Sequence, residues 1–393
     1  MILPYRRKCF LLINRAMKVA MVLLITGQAL SAAAPGLPLR GGLWATQRVP
    51  ENGSEMSEFE SMVRDNSLLS GVYVHIGWKE LEKESGKLDF GSLDKAVDVL
   101  RRAKRKYALG VKPGAETPSF VFQQGAQALQ THVNNPHRAT YGETVAIPVP
   151  WDEVYQRQFS RVIEEVGKHY ADDPLCVGVV LTCANFMSAE MHLPKTPEDR
   201  AKWQSMGDYQ GRLVEVYKKY TDEWARAFPR QQICLHVSQV LDLPVSFFEK
   251  IIDYGLGKYP DRFTIQTDQL TGRGEDSGMM SYDLVQKYNK NAHHGFQSLA
   301  GFSHGGERMG SVEMAALNVV HAGGEYWEIW HGDALDRKTT SSVANAWEEA
   351  KKLGYDEYKQ KLIAEGRYQD QGGGGHRGKG GGRRRNAVQL PET

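Results

Sequence analysis

GVYVHIGWKELEKESGKLDFGSLDKAVDVLRRAKRKYALGVKPGAETPSFV, residues 71–121, reads as a strand, a helix and a second strand in succession. VYVHI alternates in the manner of a strand, and Trp78 closes it. Leu93, Val97, Leu100 and Ala103 then recur at helical spacing, and YALGVKP supplies another short apolar run of the kind that becomes a buried strand. Strands joined by a helix of this length pair in parallel, so the unit is a βαβ crossover.

The same alternation continues on both sides. LRGGLWATQ precedes it as a first strand with a helix over SEMSEFESMVRDN, and an irregular stretch to Pro150 follows it, leading into DEVYQRQFSRVIEEVGKHY. CVGVVLTCAN, QICLHVSQ, FTIQTDQ, HGFQSLAGF and EYWEIWHGD are the next strands. Their helices lie over GRLVEVYKKYTDEWARAF, PVSFFEKIIDYGL, SYDLVQKYN, SVEMAALNVVHAG and SSVANAWEEAKKLG. Eight strand–helix pairs predict an α/β fold of the (β/α)8 TIM-barrel class, for which about 250 residues suffice. An open doubly wound sheet would carry a Gly-rich phosphate turn after its first strand, and no such turn occurs.

The two ends differ from the body. Arg6, Arg7, Lys8, Arg15 and Lys18 flank or precede AMVLLITGQAL, and SAAA follows, the order of a secretory signal over residues 1–34. A secreted or periplasmic protein is expected, with no stable membrane span, because the apolar run falls short of the roughly 20 residues a bilayer requires. The barrel is expected over 35–366, and a basic glycine-rich tail over 367–393 that is too poor in apolar residues to pack. The overall charge of +2 conceals five cations in the signal and five more between Gln371 and Asn386. The body between them is acidic, which argues against a phosphate-binding face, so no nucleic-acid partner is expected. Cys176, Cys183 and Cys234 fall in apolar strand-like runs and read as buried packing thiols.

The spelling W-x-x-L-E-x-x-x-G-x-x-D-F-x-x-L-D, carried by Trp78, Leu81, Glu82, Gly86, Asp89, Phe90, Leu93 and Asp94, resembles the barrel glycoside hydrolases that include the bacterial β-galactosidases. WDEVYQRQF and the fourth-strand region through Pro194 share the likeness. The resemblance implies hydrolysis of glycosidic bonds in an oligo- or polysaccharide. It also implies an acid/base glutamate after the fourth strand and a nucleophile at the end of the seventh.

Such chemistry needs two carboxyl groups astride the scissile bond, one protonated and one ionised, about 5–5.5 Å apart for retention and about 6.5–9.5 Å for inversion. Barrel sites form at the C-terminal ends of the strands, which restricts the candidates. LTCANFMSAEMHLP offers Asn185 and Glu190; in the clan Asn directly precedes Glu, whereas here five positions separate them. The apolar neighbours of Glu190 would raise its pKa by desolvation, as a proton donor requires. The seventh strand, HGFQSLAGF, has no carboxylate. Glu328 in the eighth, on one face with Tyr326 and Trp330, is the expected second acid, with Asp268 in the sixth as competitor. The opposing reading makes Glu328 a buried acid paired with Lys112 or Arg308. Trp44, Trp78, Trp327 and Trp330 are expected to offer faces to sugar rings, and Gln47, Asn185, His236, Gln266, Asp268 and Gln297 to bind hydroxyls. Trp203 and Trp224 receive no role.

No H-x-H or H-E-x-x-H occurs, so metal-dependent hydrolysis is not expected; serine hydrolysis is not expected either, and no cofactor motif is present. Two other functions stay open: a non-catalytic barrel that binds carbohydrate, motivated by the missing seventh-strand acid, and a surface-interaction protein working through the basic tail.

Overall fold

The computed structural model describes residues 37–369, apart from His137, Ala139 and Ser277. The expected signal over 1–34 and the tail from 370 onward lie outside the described residues. Eight parallel strands close into a barrel: β1 (Gly42–Arg48), β2 (Leu69–Gly77), β3 (Lys106–Lys112), β4 (Cys176–Val180), β5 (Gln232–Val237), β6 (Phe263–Leu270), β7 (His293–Ser298) and β8 (Tyr326–Trp330). β8 returns to β1 with Trp44 opposite Glu328. Around them run α1 (Gly53–Asp65), α2 (Gly91–Arg102), α3 (Glu153–Tyr170), α4 (Tyr209–Ala227), α5 (Val245–Lys258), α6 (Met280–Tyr288), α7 (Val312–His321) and α8 (Arg337–Ala364). This is the (β/α)8 barrel that the alternating pattern predicts.

Apolar side chains from the outer face of the strands and the inner stripe of the helices merge into one large core, while a smaller cluster fills the barrel itself. That inner cluster holds Trp44, Tyr73 and Tyr326 with Ala108, Val177, Val180 and Ala189. Large rings fit because neighbouring strands present glycine. A Cβ on Gly71 would lie 2.6 Å from the Trp44 ring, and one on Gly295 would lie 2.2 Å from that of Tyr326. Alternating large and small residues in this way fills the interior at the density of a core.

The spelling around Trp78 is structural. Trp78 is fully buried against Tyr155 and Phe159 of α3, and its Nε1 donates to Glu82 Oε2 at 2.8 Å. The other Glu82 oxygen accepts from the backbone N–H of Gly86 at 2.6 Å and pairs with Arg161 of α3. Gly86 takes a φ of 80°, where a side chain would be strained. Asp94 accepts from Tyr170 Oη at 2.8 Å, and Phe90 stacks on His169 at 4.2 Å. The motif therefore ties the β2–α2 connection to α3. Glu82→Ala strands a buried indole N–H, a backbone N–H and a guanidinium, so stability is expected to fall by about 2–4 kcal/mol in a urea melt.

Three differences from the sequence reading have local causes. The irregular stretch before Pro150 contains a hairpin, Ala128–His132 paired antiparallel with Thr144–Pro148. Only Leu129 and Thr131 of its first strand are buried, so the apolar signal is too short to stand out. A further helix, Pro197–Ser205, is capped reciprocally by Thr196 and Asp199. The last helix extends ten residues past Gly354, where the chain kinks through a φ of 76° and then buries Tyr358 and Leu362. Cys176, Cys183 and Cys234 are buried and free. Among the described residues no helix is long and apolar enough to cross a membrane.

Candidate active site

The connection after β4 is held by its carbonyl groups. Tyr217 Oη donates to Ala184 O at 3.1 Å, Trp224 Nε1 to Thr182 O at 3.1 Å, Trp203 Nε1 to Pro194 O at 3.1 Å, and Tyr155 Oη to Cys183 O. Trp203 and Trp224, given no role from sequence, thus fix this loop. Asn185 works from inside it: its amide donates to the carbonyls of Ala189 at 2.8 Å and Glu190 at 2.6 Å, and its Oδ1 accepts from Cys183 N at 2.7 Å. Those bonds commit Asn185 to shaping the loop. The turn after β3 presses on the same segment, since a Cβ on Gly114, at φ 70°, would lie 2.2 Å from Asn185 O. Backbone bonding of Met191 N to His236 O at 2.9 Å then seats Glu190 over the end of β5.

Glu190 lines a cavity of about 360 Å³ at the C-terminal mouth of the barrel. Burial, and then the charge of Asp268, push its carboxyl up to about 7. Beneath it, His236 Nδ1 lies 2.9 Å from Asp268 Oδ2, and Gln266 Nε2 donates to Asp268 Oδ1 at 2.7 Å. Burial works to lower the pKa of His236, but Asp268 and then Cys234 together outweigh it and hold the imidazole well above its ordinary value of 6.5. The pair therefore contributes stability in full below 6.5 and loses it as pH rises through the raised native value. At pH 7.5 the ¹⁵N spectrum of His236 is expected to be that of an imidazolium. In Asp268→Asn burial is opposed by Cys234 without the carboxylate, so the proton affinity of the ring is expected to fall.

Gln266 Nε2 also donates to Glu328 Oε2, at 3.2 Å, linking the mouth to the barrel floor. There Glu328 is fully buried and paired with Arg40, a residue not among those expected at the site because nothing in its neighbourhood along the chain marks it. Arg40 also donates to Tyr326 Oη at 2.7 Å and Gln232 Oε1 at 2.9 Å, and lies over the Tyr326 ring at 4.1 Å. Glu328 is thus neither paired with Lys112 or Arg308 nor open to the cavity. Around Tyr73, whose ring centroid is 5.5 Å from that of His75 and 5.7 Å from that of His236, Tyr73 Oη, His75 Nδ1 and His236 Nε2 are buried with no hydrogen-bond partner among the described residues. Groups of this kind bond substrate hydroxyls.

The aromatic expectation divides. Trp44 is fully buried inside the barrel with Nε1 on Gly41 O, and Trp78 and Trp327 lie in the outer core, so none of the three has a face open to a ligand. Trp330 is 40% exposed at the end of β8, anchored by Nε1 to Ser298 O at 2.7 Å. Gln297 lies one residue before the end of β7, opposite Glu328. Glu190, His236, Gln266 and Asp268 are the expected residues that one connected region brings together.

A family model described as beta-galactosidase matches residues 51–205. None of the curated proteins matches the sequence. The fold is similar to that of the β-galactosidase of the psychrophilic Marinomonas ef1, 11% identical with a TM-score of 0.54, over 83% of this chain and 60% of that one. The β-galactosidase of Halorubrum lacusprofundi, an Antarctic haloarchaeon, is 15% identical with a TM-score of 0.51, over 78% and 58%. The catalytic domain of the β-amylase of Paenibacillus polymyxa is 10% identical with a TM-score of 0.53, over 81% and 100%. The chain therefore spans about three fifths of the two β-galactosidases and all of the β-amylase domain. Spelling, family match and barrel agree that this chain resembles the (β/α)8 glycoside hydrolases, the β-galactosidases among them.

Proposed function

We propose that the protein is a glycoside hydrolase acting on an oligo- or polysaccharide, with Glu190 as proton donor and Asp268 as the ionised partner. The observation that carries this reading is a carboxyl raised to about 7 at an open cavity, beside a second carboxylate that His236 and Gln266 hold by hydrogen bonds. A carboxyl whose proton affinity burial raises, next to a second carboxyl, is what glycosidic cleavage requires. Glu328, expected from sequence in the second role, is replaced by Asp268 because its pairing with Arg40 in full burial leaves it no access to a substrate. Glu328 acts indirectly, by orienting the Gln266 amide that faces Asp268. The N-terminal pattern supports export, to the periplasm or beyond.

A specific observation favours a second reading, a carbohydrate-binding barrel without catalysis: Phe186 directly follows Asn185, and the end of β7, Gln297-Ser298, has no carboxylate, where the resembling enzymes carry their two glutamates. Hydrolysis of a panel of aryl glycosides and oligosaccharides by the wild type and Glu190→Gln separates the two. The hydrolase reading expects turnover that the substitution removes. A panel left intact, with sugar nonetheless raising Tm, would establish the binder.

A further inference from the structure

The cavity at the mouth is cationic, in a body whose overall charge is negative. Arg138 comes from the hairpin connection, Lys195 from the loop after β4 and Arg308 from the loop after β7, and all three line the cavity. Each side chain is exposed, and among the described residues none of the three enters an ion pair. The one carboxyl in the lining is Glu190. Three separate loops therefore supply positive charge to one open cavity, in which Glu190 is the one carboxyl.

Burial, and then Lys112 and Arg48, hold His75 well below its ordinary value. His192, also in the lining, is lowered to about 4 by burial and then by Lys195 and Arg138, so it meets a ligand as a neutral ring. The remaining lining is rich in neutral hydrogen-bonding groups, Asn134, Ser188, Ser238 and Gln269 among them, with no exposed tryptophan. A neutral sugar would leave the three cations without a counter-charge, whereas an anion on the sugar supplies one and gains charge-assisted hydrogen bonds.

We propose that the substrate carries an acidic sugar residue, a uronate carboxylate or a sulfate ester, seated against Arg138, Lys195 and Arg308. The proposal rests on reading this cavity as the carbohydrate site and names its substrate class. A guanidinium fork suits either anion, because both offer two oxygens in one plane.

Binding is measured by calorimetry on Glu190→Gln, so that turnover does not enter. The ligands are uronate oligosaccharides and their methyl esters, and sulfated galactan oligosaccharides and their desulfated forms. The expected result is at least about tenfold tighter binding of one charged set than of its neutral counterpart, weakening as salt rises from about 0.05 to 0.5 M. Lys195→Glu/Arg308→Glu, on exposed side chains, is expected to remove the preference while leaving Tm within about 2 °C. The set that binds identifies the anion as carboxylate or sulfate. Equal binding of charged and neutral forms, no binding of any of them, or a preference that survives the charge reversal would overturn the proposal. A charged preference without hydrolysis by the wild type would keep this proposal and remove only the catalytic reading.

Discussion

Glu190→Gln is expected to lower kcat/KM by about 10²–10⁴ on glycosides with poor leaving groups, the range a positioned general acid supplies. The loss is expected to shrink on glycosides whose leaving group departs without a proton, such as dinitrophenolates. The pH profile carries the sign. The acid form donates, so activity is present below the native pKa and declines as pH rises through about 7, where burial and the Asp268 charge have placed Glu190. The variant loses that alkaline limb. Equal rates for wild type and variant on both substrate classes, or a wild-type profile flat between pH 5 and 9, would remove Glu190 from the chemistry.

Arg40→Met is expected to destabilise the fold by about 3–5 kcal/mol, the range for stranding one partner of a buried pair. Glu328 would then sit at full burial without the guanidinium, leaving mainly the Gln266 amide at 3.2 Å. Burial already raises its proton affinity, and the loss of Arg40 raises it further, so part of the cost appears as proton uptake. Glu328→Leu alone strands the guanidinium in the same way. The double substitution, which removes both charges, is expected to recover most of the loss, because the desolvation cost of the pair disappears with it. Urea melts of the four proteins at pH 7 give the coupling directly. Simple additivity of the two single losses would mean that the two residues do not act as a unit.

The two variants also separate the floor of the barrel from its mouth. Because Gln266 touches both Glu328 and Asp268, loss of Glu328 frees the amide that faces Asp268. Activity of the double variant is therefore expected to fall even where stability returns.

Periodicity determined the architecture by itself. Strand and helix leave repeats of different spacing in the chain, and eight alternations between Leu39 and Gly354 permit few other topologies. The raised proton affinity of Glu190 was legible for a related reason: it lies in the connection after a strand, among apolar neighbours that predict desolvation. The role of the Trp78 spelling was not legible, since a tryptophan at a strand end looks alike whether it faces a sugar or, as here, Glu82 and α3.

What only the tertiary structure decided is which polar groups meet. Alternation put Glu328 on an inward face but could not show that Arg40, 288 positions earlier, rises into the same space and occupies it. Nor could it show Arg138, Lys195 and Arg308 arriving at one cavity from three loops. Packing leaves a period in sequence because it repeats along each element. Charge pairing across a barrel leaves none, because its partners are joined only by the closure of the sheet.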